Sequence, residues 1–353
     1  MSDQLRVPSW SEDLGAARRV GRRQGLLGLV TAVAVITALG AAAARADDKV
    51  TLRTNWLYYG SHSMFFLGID QGLYAKNGID LVVKQGNGSG NATRLVANKD
   101  STFAYASAVT MMNLAAQGAP VVAVATIDAQ GTDAVIVRPD AGIKTFKDLE
   151  GKKVLTTAGA GVNTLFVVAA KNAGADPGKV VLTNVAESAL VSSYLQNLAP
   201  AMLGGMDDKP AEIEANGGAP PVILNYADYG IIQPGYAIVA HKDMVRDNPD
   251  LVRRFVLATL MAVKAAKQDP DASIKALINW SGSVEEQKKQ ARQVLDVTLA
   301  ILDSPNNKEK RLGLNVAADW DAALKLLKEY KGLQTTATAD QFYTNQFVPA
   351  TLP

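Results

Sequence analysis

The stretch at 84–107, KQGNGSGNATRLVANKDSTFAYAS, decides the fold. An apolar strand at 79–83 runs into Gly86, Gly88 and Gly90. A helical pattern at 93–98 follows, then a second strand-like run at 102–106. Glycines at a strand-to-helix junction let the main chain approach a neighbour closely. The hydroxyl of Ser89, with Asn91 beside it, is placed to cap the coming helix. Unpaired N–H groups and the positive end of the helix dipole then face one opening, suited to an anion or a polar ligand edge. A plain tight turn is the alternative for the same glycines. The spacing is neither G-x-G-x-x-G nor G-x-x-x-x-G-K-[ST], so neither a dinucleotide nor a P-loop site is indicated.

Outward from this corner the chain keeps a strand–helix rhythm. A strand at 50–56 leads into NWLYYGSHSMFF, where Trp56, Tyr58, Tyr59, Phe65 and Phe66 crowd together although only 6% of the chain is aromatic. Aromatic faces stack on flat ligands, and Tyr and Trp also donate hydrogen bonds. Asn55, Ser61, His62 and Ser63 add polar edges, while at least one of the two Phe is expected in the core. A helical pattern at 64–74 stops at Lys76-Asn77-Gly78, a helical one at 109–117 stops at Gly118-Ala119-Pro120, and the apolar run 121–127 reads as a strand buried on both faces. The rhythm predicts an α/β layer with a mostly parallel sheet, whose ligands sit beyond the C-terminal strand ends. Asn55-Trp56, Gly88-Ser89, Ser107 and Asp128 all fall at such ends.

Two short strands, AVIVR at 134–138 and YAIVA at 236–240, bracket a second α/β block and predict two crossings between lobes. Inside it, a strand at 154–157 enters a second glycine corner, AGAG at 158–161, where Asn163 or Thr164 is placed to cap the next helix. A later strand ends at Gly204-Gly205-Met206-Asp207, which makes Asp207 and Asp208 candidates for the same cleft or for a solvated turn. After 240 the chain turns helical: Asn248-Pro249-Asp250 opens one helix, Ser283 with Glu286 fits a capping box for another at 283–302, and 319–329 reads as a third. All three are expected to pack on the first lobe.

The 353 residues suffice for two domains, and 48% hydrophobic with 20% charged reads as globular. There is no cysteine, which removes disulfides, thiolate metal sites and cysteine nucleophiles, and two histidines do not make a multi-histidine metal centre. The net charge of +2 comes from the first 46 residues, which hold six arginines and three acids; 30 of the 36 basic and 31 of the 34 acidic residues remain beyond them. A near-neutral body argues against a nucleic-acid surface. Arg18, Arg19, Arg22 and Arg23 precede the uncharged run 24–44, and Ala44-Arg45-Ala46 precedes Asp47. That is the order of an export signal cleaved before Asp47, with an uncleaved membrane anchor as the alternative. Arg22-Arg23 with Leu26-Leu27 resembles a twin-arginine signal, although Gly25 stands where that signal usually has Phe.

LRTNWLYYGSHSMFFLGIDQGLYAKNGIDL at 52–81, GNGSGNATRLVANKDSTFAYASA at 86–108, IKTFKDLEGKKV at 143–154 and DNPDLVRRFVLATLMAVKAA at 247–266 carry a resemblance. From residue 49 onward the chain resembles the solute-binding proteins of ABC importers, and within them the NMT1/THI5-like branch, which includes pyrimidine, sulfonate, taurine and nitrate binders. The resemblance implies a two-lobed periplasmic-binding-protein fold of type II. Residues 47–138 and 239–353 would form lobe 1, and 139–238 an inserted lobe 2. It implies a soluble, monomeric, periplasmic protein that needs no cofactor or metal and hands a small solute to a permease coupled to a cytoplasmic ATPase. The family's ligand lies between the lobes, which carries over to Asn55, Trp56, Tyr59 and His62, to Gly88, Ser89 and Ser107, and to Thr157, Gly161 and Asn163. Fungal relatives that make the thiamine pyrimidine are enzymes with an essential histidine and a cysteine-rich iron site; a chain without cysteine departs from them, and neither G-x-S-x-G nor H-E-x-x-H occurs. No catalysis is therefore expected, with an exported enzyme as the alternative. The aromatic loop together with Asp207 favours a flat, donor-bearing heterocycle such as a pyrimidine, with sulfonate, nitrate or aromatic-acid ligands as alternatives.

Overall fold

The computed structural model describes residues 47–158, 161–282 and 287–353. The export signal expected at 1–46 and the capping box at Ser283 and Glu286 lie outside them.

The chain begins with β1 (Asp48–Arg53), α1 (Ser63–Asp70), β2 (Ile79–Lys84), α2 (Ser89–Ala97), β3 (Phe103–Ser107), α3 (Ala108–Ala116) and β4 (Val121–Thr126). It then crosses over and lays down β5 (Asp133–Val137), β6 (Lys153–Thr156), α4 (Gly161–Asn172), β7 (Val181–Asn184), α5 (Leu190–Leu195), β8 (Ala201–Gly205), α6 (Lys209–Ala215) and β9 (Val222–Asn225). It returns as β10 (Tyr236–His241) and finishes in α7 (Lys242–Asp247), α8 (Pro249–Gln268), α9 (Pro270–Ser281), α10 (Lys288–Ala300) and α11 (Ala317–Lys331).

Two five-stranded sheets result, in the orders β2-β1-β3-β10-β4 and β7-β6-β8-β5-β9. Each is parallel except for its fourth strand: β10 runs antiparallel to β3 and β4, and β5 antiparallel to β8 and β9. The sheets are thus mixed rather than uniformly parallel. The odd strands are the ones that arrive from the other lobe. A strand entering from the gap between lobes starts where its neighbours end, so it has to run against them. The sequence reading puts the first crossing after 138, yet β5 already belongs to the second sheet, and the chain crosses at 127–132. Strand periodicity shows that a strand exists, not which sheet receives it.

The two crossings lie side by side. The N–H groups of Ile127 and Asp128 both donate to the Tyr236 carbonyl, at 2.9 and 3.1 Å, and Gly235 donates back to the Asp128 carbonyl at 2.8 Å. A Cβ on Gly235 would stand 2.3 Å from the Gln130 carbonyl oxygen, so only glycine allows this approach.

Strand side chains alternate between two apolar layers on each sheet. In the first sheet Leu52, Phe103, Tyr105 and Val124 meet α1 and α8, where the Phe103 and Phe255 rings stack 4.0 Å apart. Ala104, Ala106 and Ala123 face Met111, Met112 and the buried Trp320. In the second, Val135, Val154 and Leu203 pack on Phe146 and Phe166, and Ile136, Leu155 and Met202 on Tyr194 and Ile213. β4 is an edge strand buried along its whole length, as its unbroken apolar run predicts. The C-terminal segment covers its edge: Ala123 donates to Phe342, and Thr344 donates to Ala123. The late helices do more than pack on the first lobe. Leu326 of α11 rests on the second lobe's core, and Glu214 of α6 accepts a 2.8 Å bond from Gln293 of α10.

Phe255 is buried among aromatic rings. Phe255→Ala should cost about 3–5 kcal/mol of stability, read from the midpoint shift in chemical denaturation.

Candidate functional site

A cavity of about 820 Å³ lies between the lobes, lined by residues of both. Its first-lobe wall starts in the loop after β1. Thr54 donates to the Trp56 carbonyl at 2.6 Å, and Gly86 donates to the same oxygen at 3.0 Å. Gly88 donates to the Asn55 carbonyl at 2.7 Å. The aromatic loop and the glycine corner are thereby sewn together, so tightly that a Cβ on Gly86 would meet the Thr54 oxygen at 1.8 Å. Trp56, held by its backbone, leaves its side chain 50% exposed on the cavity wall beside Tyr59, Gly88 and Ser89. Phe65 and Phe66 both belong to the core, and Tyr58 donates to the Val83 carbonyl at 2.9 Å.

Beneath this wall lies a buried polar and aromatic layer. The Asn55 side-chain carbonyl accepts from His62 Nε2 at 2.7 Å, and its amide reaches the Tyr59 hydroxyl at 3.3 Å. His62 meets the rings of Tyr59 and Tyr105 edge-on. Burial lowers its pKa to about 3, so it is neutral at ordinary pH. His62 is sealed behind the wall as a positioning residue for Asn55 and Tyr59; it does not line the cavity. Tyr105 stacks on Tyr236 and donates to Asp128 at 2.8 Å.

The glycine corner differs from the sequence reading in one respect. Ser89 is the first residue of α2, whose cap position is Gly88, and its hydroxyl accepts from the Ser107 N–H at 3.0 Å instead of capping. Ser107 in turn caps α3, accepting from Thr110 N–H at 3.4 Å. It borders a separate cavity of about 170 Å³, so it is a structural cap rather than a wall of the main site.

The second-lobe wall comes from the ends of β6 and β8. Thr157 lines the cavity and donates to Glu187 at 2.9 Å. Asn163 accepts from Thr156 and donates to the Thr157 carbonyl at 2.9 Å. Its polar atoms are spent on the corner, so it braces the wall rather than forming it. Gly161 opens α4. Beyond β8, Asp207, Asp208 and Lys209 line the cavity. Lys209 Nζ lies 3.2 Å from Glu212 and 3.3 Å from both Glu187 and Asp208. Burial pulls this lysine's pKa down, but the three carboxylates outweigh it and keep the ammonium charged.

The sequence reading missed Asp133, Tyr236 and the helical wall of Leu277, Gln290 and Val294. Asp133 pairs with Gly205, and Tyr236 with Ser107, each opposite the C-terminal end of a neighbouring strand. They open the reversed strands, so a rule that looks only at C-terminal ends passes over them. Reading AVIVR and YAIVA as crossing strands, and hence as reversed, would have found both.

Asp207 is 7% exposed, and burial, then Asp208, raise its pKa to about 7. Its folded pKa stands above the unfolded value. The native state is therefore penalised when the carboxylate is ionised, and the penalty fades as pH falls from above 7 towards 4. Asp207→Asn should melt above the wild type at pH 8, with the gap closing by pH 4, as followed by circular dichroism.

Comparison with known proteins places this geometry. Residues 60–273 match a family model described as NMT1/THI5 like. The riboflavin-binding protein RibY of Chloroflexus aurantiacus is 22% identical over 305 residues, covering 86% of each chain. A 4-amino-5-hydroxymethyl-2-methylpyrimidine phosphate synthase of Legionella pneumophila is also 22% identical, covering 86% of this chain and 93% of its own. The periplasmic aliphatic sulphonate binding protein SsuA of Escherichia coli superimposes with a TM-score of 0.63 at 17% identity, covering 83% of this chain and 91% of that one, which establishes the shared fold.

Proposed function

The chain belongs to the NMT1/THI5-like family, and from that premise we propose that it is the periplasmic solute-binding component of an ABC importer, holding a flat heteroaromatic solute of the pyrimidine class between its lobes. The permease and its cytoplasmic ATPase are the partners this reading requires. The observation that carries it is one cavity, faced by strand ends of both lobes, with half-exposed Trp56 beside Tyr59 on one side and Thr157 and Asp207 on the other. Ligand that touches both lobes favours the closed arrangement over the open one. Asn55, Trp56, Tyr59, Gly88, Ser89, Thr157 and Asp207 are the residues assigned to contact or frame it, and His62, Asn163 and Ser107 support them from behind.

Magnitudes support a mixed aromatic and polar wall. A ring burying about 150–250 Å² gains about 4–6 kcal/mol at roughly 25 cal/mol per Å². Micromolar affinity needs about 8 kcal/mol, so hydrogen bonds from Tyr59, Thr157 and the acidic turn supply the remainder. Two relatives named as pyrimidine phosphate synthases raise an enzymatic reading. The residues here favour binding: there is no cysteine, and His62, the one histidine near the cavity, is buried and bonded to Asn55.

A thermal-shift screen of pyrimidines, sulfonates, nitrate and aromatic acids tests the reading, because a saturating ligand raises the melting temperature by mass action. Pyrimidines should give the largest shifts. Trp56→Ala should keep the unliganded melting temperature and weaken the best ligand about five- to a hundredfold, since stacking on a base is worth about 1–3 kcal/mol. Full affinity in the folded variant contradicts the stacking role, and turnover of the ligand by the purified protein contradicts the binding-protein reading.

A further inference from the structure

We propose that the solute carries a positive charge beside its flat ring and that Asp133 and Asp207 receive that charge. The proposal rests on the interlobe cavity being the binding site. Among the described residues the cavity is lined by five carboxylates and a single cationic side chain, Lys209. That lysine is committed to Glu187, Asp208 and Glu212 at 3.2–3.3 Å. Asp133 and Asp207 are left with no cation within ion-pair distance among the described residues. Their bonds are neutral ones: Gln233 donates to Asp133 at 3.3 Å, and the Thr132 hydroxyl serves Asp207. A third acid, Asp128, is 2% exposed and keeps Oδ1 without a hydrogen-bond partner. Burial above all, with the Asp207 charge, raises its pKa to about 8.

A phosphate or sulfonate entering this cavity would meet carboxylates, and Lys209 could serve it only by leaving three of them uncompensated. Those three carboxylates are 39–60% exposed, so the larger obstacle to an anion is the pair Asp133 and Asp207 that it would also face on the cavity wall. A cation inverts the balance. It provides the counter-charge that Asp207 lacks and that Asp133 has only at a distance, from Lys331, while its ring lies against Trp56 and Tyr59, whose π faces also attract cations.

The titration behaviour agrees with this geometry. Burial raises Asp133 to about 6, as it raises Asp207 to about 7. The groups acting on Asp207 are Asp208 on its own turn and Thr132 and Asp133 from the crossing segment and β5, and the Asp207 charge in turn acts on Tyr59, Tyr236 and Asp128 of the first lobe. Those acting on Asp133 are Lys331 of α11 and Gln233, and the Asp133 charge in turn acts on Asp207 and Tyr226. A bound cation lowers both carboxyl pKa values, so binding near pH 7 should release protons.

Calorimetric titration of the purified chain with two matched series tests this. One is 4-amino-2-methylpyrimidine bearing aminomethyl, hydroxymethyl or phosphorylated hydroxymethyl at position 5; the other is benzylamine, benzyl alcohol and benzyl phosphate. The amine should bind at least tenfold tighter than its neutral counterpart, with the phosphate weakest, and should release protons when buffers of different ionisation enthalpy are compared. Asp207→Asn, with its unliganded melting temperature confirming the fold, should abolish the advantage of the amine, so that amine and alcohol bind the variant within threefold of each other. Phosphate or alcohol binding as tightly as the amine overturns the charge assignment alone. Affinities that Trp56→Ala leaves untouched, or no binding by either series, overturn the cavity reading with it.

Discussion

The paired crossings constrain everything else in this molecule. Ile127, Asp128, Gly235 and Tyr236 exchange main-chain hydrogen bonds at 2.8–3.1 Å, so the two lobes are joined by a short hydrogen-bonded ribbon rather than by independent linkers. Because both crossing strands leave that ribbon directly, each must run against the sheet it enters. The reversal brings the first residues of β5 and β10, Asp133 and Tyr236, level with the last residues of β8 and β3. Strand ends, strand starts and helix N-termini from both lobes then meet around one gap.

The site divides its labour by depth. Groups on the surface of the gap, such as Trp56, Thr157 and Asp207, line the cavity. A layer behind them fixes their positions through bonds that are buried or part-buried: His62 on Asn55, and Asn163 on Thr157. Such support is what keeps a binding wall within a fraction of an ångström of its working geometry.

Much of this was legible in the sequence, and the failures have physical causes. The unbroken apolar run of β4 pointed to its burial, and the aromatic loop and Gly204-Gly205-Met206-Asp207 turn pointed to cavity residues, because exposure at a strand end is written in local composition. Asp133 and Tyr236 were invisible, since periodicity carries no strand direction. His62, Asn163 and Ser107 were placed at the right corners with the wrong orientation. A polar residue at a strand end looks the same in sequence whether its hydrogen bonds are spent inward or offered outward. The wall supplied by α9 and α10 depends on tertiary docking of helices whose own pattern only announces an apolar face.

The central claim is that one solute is gripped by both lobes at once. Hydrogen exchange, followed by mass spectrometry with and without a ligand that raises the melting temperature, tests it most directly. Protection should appear together in the segment around Trp56 and Gly88 and in the segment from Gly204 to Lys209, with the ribbon at 127–132 slowed as well. Protection confined to one lobe, or to a surface remote from both segments, would contradict the account.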